Sequence, residues 1–408
     1  MDSNKSRPIP AANSGSRALD LLINGSTKLL QLERRIDPWI RPAFEAWLRD
    51  PFARFITALI NYGRADEGMA LAQERLLPDE DRFVDSIIMS FHEQLSGLWK
   101  PGGYERGGNT KTHGIVRGEL IVHEDLPERF RHGVFAEPRS YRAWVRFSGP
   151  GPYITPDIDD PGFMSISIKL MGVAGSKLMD DEKFTQDMTA VCTPTFVTGD
   201  VFSNADLQRK SKKNAALLHF INLRQPHLFD LIMQGLWVKT QTSPLEAPYF
   251  SCVPYLLGEG QAMQYSVWPK SLKRTPVPRL PLRPPDDYLR QAMAAALQAR
   301  DVELDFRIQL QTDPFRMPIE NAAVLWPERL SPRVSVATLR LPRQRFDSPA
   351  QIEFEKRLSY NPWHCIPEHR PLGNQSRARK RMYWLLSSLR HHMNGIPHYE
   401  PSGDETFD

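Results

Sequence analysis

Apolar residues recur every three to four positions in Ala18–Leu32, Pro42–Ile60 and Phe83–Leu98, the spacing of helices with one buried stripe. The chain therefore opens on a helical extension, preceded by a polar, proline-broken stretch over residues 1–16. Glycines cluster at Gly102-Gly103-Tyr104-Glu105-Arg106-Gly107-Gly108, and beyond them the period shortens to two. This spacing predicts strands over Gly114–Val122, Ala143–Ser148, Met164–Met171, Val302–Gln311 and Val334–Leu341. In the fourth, Val302, Leu304, Phe306, Ile308 and Leu310 alternate with Glu, Asp, Arg and Gln, so one face is buried. A helical stretch over Asn204–Gly235 reads as an insertion across this β-rich body. Residues 268–286 carry six prolines among five Lys and Arg, the composition of an extended surface connector. Helices over 286–300 and 376–393 follow, before an acidic tail at 396–408 that is expected to be disordered.

Apolar content of 41% and charged content of 25% over 408 residues suit one large core or two smaller ones, and exclude disordered and collagen-like architectures. The net charge is only +4, from 52 basic and 48 acidic residues, too little to argue for a nucleic-acid partner. Cys192, Cys252 and Cys365 are odd in number and form no CxxC pair, which excludes a disulfide framework and points to the reducing cytoplasm. No stretch approaches the roughly 18 apolar residues that cross a bilayer, so a soluble, unprocessed chain is expected. The Lys210-Ser211-Lys212-Lys213 run reads as a solvated helix face and leaves room for peripheral membrane contact.

The last helix begins Arg377-Ala378-Arg379-Lys380-Arg381, with cations where the helix dipole is already positive. That placement is easiest to understand if an anion sits there. On this helix Arg379, Tyr383 and Arg390 fall within one broad stripe. A phenol beside a guanidinium loses its proton more readily, which suits a tyrosinate that must ligate a ferric ion. Arg and Tyr on a basic helix also serve as surface or packing residues. Upstream, Trp144, Arg146 and Ser148 share one face of their strand, so an arginine and a serine point the same way. Lys111, Thr112, His113 and Gly114 place a histidine at a strand entrance, beside a glycine that allows close backbone approach.

In this order, these elements resemble the catalase superfamily of haem proteins, and its short, divergent bacterial members most of all. The resemblance runs from His113 through Arg146-Phe147-Ser148, Asp160-Pro161-Gly162-Phe163, Thr193-Pro194-Thr195-Phe196 and Tyr360-Asn361-Pro362 to Arg379 and Tyr383, about two-thirds of the chain. Tyr383 and Arg390 also keep the seven-residue separation of the haem-ligating tyrosine and a propionate-binding arginine in catalases. The resemblance implies an α+β fold, a catalase-like antiparallel β-barrel. An N-terminal helical extension (1–105) would precede a core at 106–395, comprising a barrel at 106–345 and a haem-binding helix at 376–393.

It further implies haem b (iron protoporphyrin IX) as cofactor, with Tyr383 as iron ligand and Arg379 keeping it ionised. His113 would be the acid–base group facing peroxide, Ser148 would orient its ring, Thr112 would restrain it, Arg146 and Arg390 would pair with the haem propionates, and Phe196 would line the pocket. The implied activity is peroxide-dependent oxidoreduction in a cytoplasmic response to oxidative stress, with hydrogen peroxide or a lipid hydroperoxide as substrate. A homo-oligomer is expected by the same analogy. The chain departs from catalases in three places, Thr112 standing where they have an apolar residue. Val191 and Cys192 stand where an asparagine precedes Thr-Pro, and Thr110 stands where an arginine lies three residues before the histidine. Thr112 is similar to the threonine of relatives that act on fatty-acid hydroperoxides. These departures favour a peroxidase, or a hydroperoxide isomerase or lyase, over fast dismutation. A barrel that only carries haem or lipid is the alternative of a different class. Cys365 as a thiolate ligand is the weaker alternative to Tyr383.

Overall fold

The computed structural model describes residues 6, 9–149, 151–160, 162–222 and 227–407. Its strands are β1 (Thr112–Val122), β2 (Ser140–Ser148), β3 (Ser165–Met171), β4 (Thr185–Val191), β5 (Tyr249–Phe250), β6 (Tyr255–Leu256), β7 (Ala262–Pro269), β8 (Val302–Leu310) and β9 (Val334–Leu341). Its helices are α1 (Arg17–Trp47), α2 (Arg49–Tyr62), α3 (Glu80–Leu98), α4 (Val201–Ser211), α5 (Leu217–Phe220), α6 (Leu228–Trp237), α7 (Tyr288–Ala299), α8 (Pro349–Arg357) and α9 (Asn374–Asn394). Antiparallel neighbours run β5-β4-β3-β2-β1-β9-β8-β7, and β5 also pairs with β7, which closes an eight-stranded barrel. The fold is the expected α+β one, a barrel with helices added before, between and after its strands.

The period-two pattern fills the barrel. Val116, Val145, Ile168 and Met188 are successive register partners across β1 to β4, and all are buried inside with Tyr265, Phe306 and Leu339. Toward the entrance of β1, the outer face of β1 to β4 is largely buried as well, and much of it is polar. Ile115, Arg146, Ser167 and Thr189 form one row, and Thr112, Ser148, Ser165 and Val191 the next. Lys169 lies on the same face without solvent contact, held by Glu182 and, at 2.8 Å, by Asp187. A second layer covers this face: Phe354 on α8 packs on Trp144, and Arg379 on α9 reaches Thr189. A strand covered on both sides loses its alternation, which is why Thr185-Gln186-Asp187-Met188-Thr189 does not read as a strand from sequence.

Several expectations need correction. The segment 396–407 is not a loose tail: Trp144 Nε1 donates to Glu405 at 2.9 Å, and the Phe407 ring lies 5.7 Å from the Trp144 ring. Among the described residues, the insertion between β4 and β5 forms three helices, and α8 is a further helix that the sequence pattern does not predict. Of the Asp160-Pro161-Gly162-Phe163 turn, Pro161 lies outside the described residues. Gly162 has φ +81°, and a Cβ there would overlap the Arg34 guanidinium and the Lys239 carbonyl. Among the described residues, no helix is long and apolar enough to cross a membrane.

Candidate functional site

The entrance of β1 carries a bulge. Thr112 pairs with Ser148 and Gly114 with Phe147, leaving His113 as the extra residue that the irregularity re-aims. His113 and Ser148 are buried. Both ring nitrogens of His113, Ser148 Oγ and Thr112 Oγ1 are shielded from solvent and have no hydrogen-bond partner. The bond expected from Ser148 to His113 is therefore not formed in this structure. His113 Nδ1 instead lies 4.0 Å from Asp157 Oδ1. That oxygen is held at 2.6 Å by Lys111 Nζ, which also donates to the carbonyls of Thr155 and Asp286. Burial, followed by the charges of Lys111, Arg290 and Arg146, holds the His113 pKa well below the usual imidazole range. The ring is neutral at physiological pH and can accept a proton. Burial also raises the carboxyls of Asp157, to about 6, and Asp160, to about 7, the latter further pushed by Asp157. An unsatisfied buried polar atom costs about 1–3 kcal/mol, and these four lie around one strand entrance. Such a patch is what a polar ligand would complete.

On the α9 side, Arg379 is buried and its Nη2 donates to Thr189 Oγ1 at 2.6 Å. Its guanidinium carbon stands 5.1 Å from the centre of the Tyr383 ring, and its Nε is buried without a partner. Burial alone would lower the Arg379 pKa, but the phenols of Tyr383, Tyr255 and Tyr265 raise it. The pairing of Arg379 with Tyr383 foreseen from their four-residue spacing is present. Thr189 is two strands and two register positions from Ser148, about 12 Å at normal strand spacing and rise, and Ser165 and Ser167 lie between them. The floor between the two halves of the site is thus made of small side chains.

Two of the other cations at the start of α9 are already met by carboxylates within the chain, and Lys380 lies over the Trp363 ring at 4.7 Å. Arg377 pairs with Glu74 and Glu80 at 2.8 Å and with Glu320 at 3.2 Å, and Arg381 with Asp85 at 2.5 Å. The anion inferred from the dipole argument is therefore mostly internal carboxylate. Arg146 and Arg390 likewise spend their donors at home. Arg146 Nε bonds Glu355 at 2.5 Å and its Nη2 bonds the Asn109 carbonyl at 2.8 Å. Arg390 bonds the carbonyls of Lys356 and Leu358 and the ring of His391. A third arginine, Arg106, joins them through Glu355 at 2.8 Å. Burial would raise the Glu355 carboxyl, yet Arg106 and Arg146 pull it down to about 2. Sequence reasoning missed Arg106 and Glu355, which are 249 residues apart. The glycine-rich run around Arg106 was the only local signal.

Phe196 is partly buried against the barrel core, its N–H bonded to the Ala322 carbonyl at 2.9 Å. Cys192 is buried, with Sγ accepting from the Met164 N–H at 3.0 Å and its pKa pushed up to about 11 by burial. Burial pushes the Cys365 thiol up too, which disfavours the thiolate alternative. His364 Nδ1 lies 2.8 Å from Asp187 and 3.3 Å from Glu182, a grouping with metal-ligand spacing. The Lys169 ammonium already sits on both carboxylates, so this cluster is a closed ion network.

The barrel, the covered polar face and the helix laid across it define a catalase-like fold. A fungal catalase superposes with a TM-score of 0.57 at 17% identity, over 85% of this chain and 70% of that one. Catalase A from Saccharomyces cerevisiae gives 0.56 at 15%, over 85% and 72%. A bacterial catalase gives 0.53 at 14%, over 84% and 70%. No protein-family model and no curated protein matches the chain.

Proposed function

We propose that this protein holds haem b between the outer face of β1–β4 and α9, and uses it to cleave the O–O bond of a peroxide. The observation that carries the reading is the set of four partnerless buried polar atoms on Thr112, His113 and Ser148, facing a strand row whose far end holds Arg379. The fold likeness to catalases supports it. Tyr383 would ligate the iron, with the Arg379 guanidinium carbon 5.1 Å from the centre of its ring. Arg106, Arg146 and Arg390 outnumber the two carboxylates beside them, Glu355 and Glu105, so the cluster would offer positive charge to the propionates. When bound, the haem supplies the redox chemistry of the reaction. The chain's own part is proton transfer: neutral His113 takes the proton from the peroxide oxygen nearer the haem and returns it to the departing oxygen, which leaves as water or an alcohol. Lys111 and Asp157 hold the charge balance behind the ring.

His113→Ala is expected to slow peroxide consumption by about 10²–10⁴-fold with haem still bound; an unchanged rate would make the barrel a carrier. Because the His113 pKa is held low, turnover should stay level between about pH 6 and 8. A rate that falls toward acid with an inflection at the ordinary imidazole value would contradict the neutral ring. Oxygen release from hydrogen peroxide, oxidation of a dye and consumption of a lipid hydroperoxide separate the substrate classes. Cys192 contributes no amide at the position where catalases have asparagine, and the Thr112 hydroxyl is unpartnered. Both favour an organic hydroperoxide, processed by a peroxidase or by an isomerase or lyase.

A further inference from the structure

His113 has a carboxyl on each side of its ring, and the two are held differently. Asp157 lies on the Nδ1 side at 4.0 Å and is buried and fixed, with Lys111 Nζ on one oxygen at 2.6 Å and the Leu289 N–H donating to the other at 2.8 Å. Asp160 lies on the Nε2 side. Gly149 stands between it and the ring: a Cβ added there would meet Asp160 Oδ2 at 3.0 Å and His113 Nε2 at 3.7 Å. The Gly162 N–H holds the other Asp160 oxygen at 3.1 Å. Asp160 is partly exposed while His113 and Asp157 are buried, so of these three residues it is the one that joins the ring to the solvent side.

A space of about 10 Å³, enough for roughly one water, lies against both carboxyls, with Arg34, Lys239 and Tyr288 also on its wall. Asp157, Lys111 and Arg34 set the charge around Asp160, and burial followed by the Asp157 charge raises its carboxyl to about 7. Asp160 therefore both holds and gives up a proton near neutrality. The demand for such a group follows from stoichiometry. With a phenol as electron donor, one organic hydroperoxide and two phenols give one alcohol, one water and two phenoxyl radicals. Cleavage of the O–O bond needs no proton from outside, because His113 returns the one it takes and the first oxygen leaves as the alcohol. The second oxygen becomes water only after two electrons and two protons reach it, and phenols oxidised outside the closed site leave their protons in solvent. Those two protons must be carried inward to a buried histidine.

We propose that Asp160 carries protons from solvent to His113 Nε2 in that second half of the cycle, a positioning residue acting through the histidine. The inference rests on the peroxidase reading above and adds to it the route by which protons enter. In such a cycle kcat/KM for the peroxide reports O–O cleavage, and kcat/KM for the phenol reports the proton-consuming half. With haem-loaded protein, cumene hydroperoxide and guaiacol, Asp160→Asn keeps the shape of the side chain and its bond from Gly162. It should lower the guaiacol constant at least about tenfold, leave the peroxide constant near the parent's and keep the visible spectrum. Asp160→Glu should regain most of that loss. In the parent, the guaiacol constant should fall as the pH rises above about 7, while under limiting peroxide the rate keeps the level profile set by His113. An Asp160→Asn variant equal to the parent, one that loses both constants together, an Asp160→Glu variant no faster than it, or a parent guaiacol constant that is level with pH would overturn the proposal. Those results leave the peroxide chemistry at His113 standing, whereas a parent that consumes no peroxide sinks that chemistry and this proposal with it.

Discussion

Tyr383→Phe should leave the fold standing and deprive the protein of stably bound haem. Tyr383 is only partly buried, in the cluster formed by α3, α4 and α9, and phenylalanine keeps its ring contacts. Thermal unfolding of the haem-free variant should match the parent within about 1.5 kcal/mol, as for a substitution that removes one hydrogen bond, here to Arg379. The visible spectrum should change completely, because the phenolate is the one anionic oxygen that the proposal places on the iron. Haem titration followed in the Soret region measures this directly. An unaltered spectrum in the variant would mean that another residue holds the iron, or that the haem sits elsewhere. Arg379→Ala should weaken retention less, since the phenol remains but loses its neighbouring cation.

The second large effect is expected at Glu355. This carboxylate accepts from Arg146 at 2.5 Å and Arg106 at 2.8 Å, with Arg390 close by. Glu355→Gln would leave the buried Arg146 and the half-buried Arg106 without their anion, a loss of about 3–5 kcal/mol for a broken buried pair. The sign with pH follows from the depressed carboxyl. The ordinary value is 4.5 and the folded value about 2, so the stabilisation is complete above 4.5 and disappears as the pH falls toward 2. Denaturant unfolding of the haem-free protein should show this acid-side loss in the parent and not in the variant. Haem should restore part of the variant's stability by bringing carboxylates to the same arginines. Equal stability of the two proteins would remove Glu355 from the network, and a variant indifferent to haem would remove the propionates from it.

Much of this site was legible along the chain because its chemistry lies in short local patterns. The four-residue step from Arg379 to Tyr383 holds on any helix, and the parity that puts Arg146 and Ser148 on one face holds on any strand. His113 could be placed at a strand entrance, but the bulge that turns it was not visible. Register between β1 and β2 is a property of two strands. The arginine cluster misled in an instructive way. Cations gathered at a helix start suggested an outside anion, yet Glu74, Glu80 and Glu320 meet Arg377 from distant parts of the chain. The free orientations of Arg146 and Arg390 were overestimated for the same reason.

The sequence by itself determined the helical extension, five of the barrel strands, the absence of a disulfide scaffold and the Arg379–Tyr383 pair, since each depends on periodicity, composition or a spacing within one element. Only the tertiary structure decided which polar groups are buried together. It closed the barrel through two-residue β5, covered the outer face of β1–β4 with α8 and α9, and joined Arg106 and Arg146 on Glu355 with Arg390 close by. It also turned the apolar side of α1 outward. A one-dimensional pattern states that a face is apolar or polar, but the packing of distant segments settles which side meets solvent, and the desolvation that lowers His113 and the guanidiniums that lower Glu355 are brought there only by that packing.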